Sequence, residues 1–145
     1  MTTLISEIQK AINESVEMIS KELSISFILL IGSLAKEEQG PMSDIDIAIY
    51  IDPEKHVRNS LTSALKLGVY LEKKLKREDI DIVILNDALP TMKFNSINSN
   101  IILYMKDEGV YEDFFVRSLS EYYDYTEFLE FQYQNAKLFL QDESK

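Results

Sequence analysis

The chain has 145 residues, 46% hydrophobic and 28% charged, the proportions of an ordinary globular protein, and its length suits one domain with a sizeable core. A formal net charge of −10 repels polyanions, so no nucleic acid is expected as a partner. The absence of cysteine excludes disulfides and thiolate metal sites. Met1 to Lys10 lacks the basic region and apolar block of a signal peptide, and no apolar run approaches the ~20 residues that span a bilayer. A cytoplasmic protein with no membrane partner is expected.

In chain order, Leu4, Ile5, Ile8, Ala11, Ile12, Val16, Ile19 and Leu23 form the apolar stripe of an amphipathic helix over about 3–23, whose role is packing. Phe27-Ile28-Leu29-Leu30-Ile31 then reads as a strand that breaks on Gly32-Ser33. Gly32 tolerates a tight backbone and lets a ligand approach closely. Ser33 suits the N-cap of a short helix through Leu34 to Gln39, which turns the helix's positive end outward as an anion site suited to phosphate.

Within Ser43 to Ala48 polar and apolar residues alternate from Asp44 to Ile47, and isoleucine stands at 45, 47, 49 and 51. That period predicts a strand with Asp44 and Asp46 on one face and the isoleucines on the other. Two carboxylates held that close repel one another. A hard cation such as Mg²⁺ relieves the repulsion. A phosphate-binding turn beside such a pair describes a metal–nucleotide site.

Asp52-Pro53 predicts a helix start, and Val57, Leu61, Ala64, Leu65, Gly68, Leu71 and Leu75 keep one face apolar to about Arg77. His56, near its start, reads as a surface residue outside the site. Lys73, Lys74, Lys76 and Arg77 cluster at the helix's C-terminal end, where the dipole favours cations, and read as a solvated helix end. Glu78 to Leu85 forms a third strand in which Asp79 and Asp81 share a face, with Asp79 at its frayed start. A two-metal phosphoryl-transfer site wants such a third carboxylate. Asn86 to Pro90 marks a turn, Thr91 to Asn100 a weakly periodic helix, and Ile101 to Lys106 a fourth strand. Ten of the fifteen aromatics lie from Tyr111 onward, with no proline or glycine, which predicts one long helix. Its aromatics fall on more than one face, as in a protein interface, although one face would also cover the sheet.

Gly32-Ser33, ten intervening residues ending in Ser43, and Asp44-x-Asp46 together resemble the signature of the polymerase-β-like nucleotidyltransferases, over residues of about 25–85. The short chain and its tail are similar to the minimal nucleotidyltransferase (MNT) antitoxins that partner HEPN-domain toxins. The chain departs from the family after Gly-Ser. Leu34, Lys36 and Glu37 stand where arginine and a second glycine are common, leaving Lys36 to reach a phosphate.

The resemblance implies an α/β (α+β) fold: a small mixed β-sheet with flanking helices, a core over about 1–106 and a long C-terminal helical segment over about 111–141. It implies that Asp44, Asp46 and Asp81 are catalytic and hold one or two Mg²⁺, Asp81 falling where the family places its third aspartate. Gly32, Ser33 and Ser43 are then the nucleotide-binding residues. ATP becomes the substrate, and AMP passes to a hydroxyl, a tyrosine's, of a cognate HEPN toxin, neutralising it. Two alternatives stand beside this. One is a small-molecule, aminoglycoside-type nucleotidyltransferase, against which only 39 residues follow Lys106. The other is an inactive antitoxin that acts by binding alone. Homo- and hetero-oligomers both stay open.

Overall fold

A computed structural model describes residues 2–35, 44–99 and 101–143. Among these, four strands form one mixed sheet in the order β3-β2-β1-β4: β1 (Ile25–Ile31), β2 (Ile45–Ile51), β3 (Ile80–Ile84) and β4 (Ile102–Met105). β1 pairs antiparallel with β2 and with β4, whereas β2 and β3 run parallel. A parallel pair needs a crossover, which helix α3 (His56–Leu75) provides. All seven residues of β1 are buried, as expected of a central strand covered on both faces.

The alternation in β2 sorts its side chains onto two faces. Ile45, Ile47, Ile49 and Ile51 join Ile28 and Leu30 beneath α1 (Thr2–Asn13) and α3, against Ile8, Ile12, Leu67 and Leu71. Ala48 and Tyr50 join Phe27, Leu29 and Ile31 on the other face, under α4 (Pro90–Ile97) and α5 (Glu108–Glu143), with Ile97 and Phe114. Each fully buried isoleucine contributes about 1.5–3 kcal/mol, so the pattern strongly specifies the register. A one-residue slip would invert every side chain.

Three helices differ from expectation. The first helix stops at Asn13, and a π-helical turn follows over Met18–Glu22. The cause is Ser15, whose buried hydroxyl donates to the carbonyls of Ala11 at 3.1 Å and Ile12 at 3.2 Å, competing with the helical ladder. α3 begins at His56, because the Asp52 carboxylate accepts from the Glu54 N–H at 3.0 Å and makes Asp52-Pro53 a turn. In α3, Ala64, Leu67 and Leu71 face the sheet, while Leu61 and Leu65 are exposed. The Gly32-Ser33 turn is a four-residue helix, α2 (Gly32–Ala35), so Ser33 falls inside it rather than ahead of it as its cap. No helix among the described residues is long and apolar enough to cross a membrane.

The C-terminal helix is one element of 36 residues. Its first half is pinned to the sheet by rings. Phe27, fully buried, stacks on Tyr50 with centroids 5.0 Å apart and meets Phe114 at 5.2 Å. Further along, Phe94 of α4 stacks on Tyr122, and Lys93 pairs with Glu121 at 3.1 Å. Phe114→Ala should therefore cost about 3–5 kcal/mol of stability, read by denaturant unfolding, and loosen α5 from the sheet. An unchanged midpoint would contradict this anchoring.

Candidate functional site

β1 delivers the chain to its C-terminal end at Ile31, which pairs with Asp46 of β2. The next residue, Gly32, turns with φ of +79°, a conformation favoured only for glycine. A Cβ at Gly32 would lie 2.3 Å from an Asp46 carboxylate oxygen and 3.2 Å from the Asp46 Cβ. The glycine is thus required twice, for the backbone and for the carboxylate lodged against it. Asp46 points at the turn.

On the other side of β2, Asp46 pairs in register with Asp81 of β3. Neighbouring parallel strands lie about 4.8 Å apart and paired residues share a face, so the two carboxylates stand side by side. Asp44 is exposed and sits immediately ahead of β2. Burial, then the Asp81 charge, then the Asp44 charge push the Asp46 carboxyl above the ordinary carboxylate range. The three aspartates therefore share one field, and Asp46 is the member that most needs a counter-charge.

The donor set fits a hard divalent ion. Among the described residues no three acidic, histidine or cysteine side chains close into a metal cage. Mg²⁺ does not ask for one, since it takes one or two carboxylates and completes its shell with substrate phosphates and water. Asp46 and Asp81 offer those carboxylates, with Asp44 within electrostatic reach.

Asp79 is separated from this group. Arg77 holds its carboxylate through Nε at 2.8 Å and through a second, charge-assisted contact, and that pairing pulls the Asp79 pKa below its ordinary value. The same pairing raises Arg77, with the Asp44 charge adding to it. Ser33 lies beside Gly32 in α2. Ser43 and Lys36 lie outside the described residues.

A cavity of about 580 Å³ opens over the carboxylates, lined by Gly32, Asp46, Asp81 and Val83 on the sheet side and by Met92 and Asn95 of α4. That volume exceeds what a phosphate and an ion need and accommodates a nucleotide-sized group. The α4 wall was not foreseen from the sequence, because Thr91 to Asn100 carries no motif and only weak periodicity. His56 has partners the sequence did not disclose. Its ring touches the Ser60 hydroxyl and its Nε2 lies 2.5 Å from Asp87, away from the cavity.

Comparisons with known proteins agree with this geometry. A family model described as "Polymerase beta, Nucleotidyltransferase" matches residues 13–109. No curated protein sequence matches the chain significantly. Among solved structures, a chain from a toxin–antitoxin complex with AMP-PNP superposes with a TM-score of 0.64 at 20% identity, covering 91% of this chain and 97% of that one. A chain from a complex of a tri-AMPylated Shewanella oneidensis HEPN toxin with an MNT antitoxin gives 0.61 at 19% identity, with coverages of 89% and 98%. A chain from the MntA–HepT toxin–antitoxin complex gives 0.60 at 19% identity, with the same coverages. At these identities the likeness establishes the fold.

Two outcomes follow from the geometry. Gly32→Ala should drive the Asp46 carboxylate out of its place and cost about 1–3 kcal/mol in backbone strain alone, read as a lowered Tm; an unchanged Tm would contradict the close approach. The lowered Asp79 pKa means that its pairing with Arg77 stabilises the fold above the unfolded carboxylate pKa of about 4 and that this contribution is lost as pH falls through the depressed folded value. Asp79→Asn should thus lower stability at pH 7 by about 0.5–1 kcal/mol, and the deficit should shrink as pH falls below about 4. A deficit that does not shrink with falling pH would contradict the ion pairing.

Proposed function

The chain belongs to the polymerase-β nucleotidyltransferase family, and from that premise we propose that it is a Mg²⁺-dependent antitoxin that transfers AMP from ATP to a tyrosine hydroxyl of a partner HEPN toxin. The observation that carries this reading is the in-register pairing of Asp46 with Asp81 beside the Gly32 turn, at the floor of the cavity. The solved complexes of similar fold, one holding AMP-PNP and one an AMPylated HEPN toxin, support the choice of donor and partner.

On this reading the residues take the following roles. Asp46 and Asp81, with Asp44, would hold Mg²⁺, which when bound would supply positive charge against the triphosphate. Gly32 and Ser33 are assigned to the phosphates at the turn beside the cavity, and Ser43, outside the described residues, is the third residue assigned to the nucleotide. The acceptor oxygen attacks the α-phosphorus, and the bond from that phosphorus to the bridging oxygen of pyrophosphate breaks. Asp81 takes the acceptor's proton. Burial and its two neighbours press Asp46 toward the protonated state, so a cation bound there restores its charge.

The aminoglycoside-type alternative calls for a substrate module beyond the sheet, and α5 supplies a single helix in that place. The binding-only alternative leaves the pairing of Asp46 with Asp81 at the floor of a cavity without a use.

The decisive assay incubates the chain with labelled ATP, Mg²⁺ and the toxin encoded beside it. The wild-type chain should label the toxin, and Asp46→Asn or Asp81→Asn should lower the rate by at least about 100-fold. Adding a chelator should abolish transfer. Label on an aminoglycoside but not on the toxin would overturn the reading, and so would full toxin neutralisation by the Asp46→Asn chain.

A further inference from the structure

The first half of α5 is anchored by Phe114, Tyr122 and Glu121, but every residue from Glu127 to Gln141 is exposed. At 1.5 Å per residue the helix after Thr126 extends about 25 Å with no cover from the rest of the chain. Its surface is unusually apolar. Leu129, Tyr133, Ala136 and Leu140 recur at intervals of four, three and four and make one seam. Phe131 and Leu138, seven residues apart, lie on the opposed side, and Phe128 and Phe139 lie on the flank between the two. Phe131, Leu138, Phe139 and Leu140 are each 60% exposed or more.

A single stripe lets a helix lie on one surface, whereas an apolar surface on two opposed sides belongs to a helix that is enclosed. Charge narrows what encloses it. α5 carries nine acidic residues against two basic ones, and the whole chain is at −10. A second copy would bring like charges together, which disfavours pairing, and a cationic surface would be complementary.

We infer that the distal half of α5 is a two-sided docking element that inserts between two helices of a cationic partner protein. This rests on the reading above, in which that partner is the HEPN toxin. The arm and the carboxylate site then divide the work: α5 holds the partner, and the cavity modifies it. Binding energy gathered on the arm, remote from the chemistry, raises the acceptor's effective concentration at Asp81.

The test uses the full chain and one alanine pair per seam, Leu129→Ala with Leu140→Ala and Phe131→Ala with Leu138→Ala. Alanine is the best helix former, so a loss cannot come from unwinding the arm. Toxin affinity is measured by titration calorimetry at two salt concentrations, AMP-PNP affinity by the same method, and the oligomeric state of the chain alone by light scattering. Each pair should weaken toxin binding by at least about 30-fold, with AMP-PNP affinity unchanged, wild-type toxin binding weakening as salt rises, and the chain alone monomeric. The inference is overturned if either pair binds the toxin like wild type, if wild-type binding ignores salt, or if the chain alone is a dimer that the substitutions dissolve. A wild-type chain that binds no toxin overturns this inference and the proposed partner together. Toxin binding that depends on both seams, without AMP transfer, leaves the docking arm intact and overturns only the proposed reaction.

Discussion

The repulsion between Asp46 and Asp81 is the constraint on which the rest of this structure turns. Two carboxylates paired across adjacent strands, with Asp44 close by, destabilise the fold in which they sit, and burial of Asp46 adds to the penalty. A stable protein keeps such an arrangement only where something overrules it. Here the override is the sheet. β2 is bound on both sides, its isoleucines are wholly buried, and its register with β3 is held by Ile45, Ile47 and Ile49 against Ile80, Ile82 and Ile84. The hydrophobic face sets where the acidic face must be.

The same logic explains why the site lies at one end of the sheet. Along β2, Asp46 is followed on its own face by Ala48 and Tyr50, which are buried under Phe27 and Phe114. Only the first position on that face is left open, at the point where β1 ends and turns on Gly32. α4 closes the far wall with Met92 and Asn95. A cavity formed by a strand end, a glycine turn and a helix flank is a common place for a small ligand in a folded scaffold. The charged floor distinguishes this one.

The parts of the account that were legible in the sequence are those governed by short-range parity. Isoleucine at every second position from Ile45 to Ile51 placed Asp46 on the other face, and Ile80 to Ile84 repeated the pattern so that Asp81 could meet it. The long aromatic helix was legible from the absence of glycine and proline from Tyr111 onward. Gly32 was read as room for a ligand, and the structure adds that the Asp46 carboxylate already occupies the space a side chain would fill. What escaped depended on single side chains overruling a pattern. The Ser15 hydroxyl broke a stripe that looked continuous to Leu23, and the Asp52 carboxylate made a turn where a cap was expected. Leucines on two flanks of α3 disguised the face that packs, which is Leu67 and Leu71 rather than Leu61 and Leu65. The α4 wall and the Arg77–Asp79 pair arise from tertiary placement, for which local spacing holds no signal.

In the proposed function, the aligned carboxylates beside Gly32 form the cation and nucleotide site. Paramagnetic broadening tests it most directly: Mn²⁺ is titrated into isotope-labelled chain with AMP-PNP present, and amide signals are followed residue by residue. Gly32, Asp46 and Asp81 should broaden first and together, and Asp46→Asn should remove the effect at all three. Broadening that begins among the acidic residues of α5 while Asp46 and Asp81 stay sharp would contradict it.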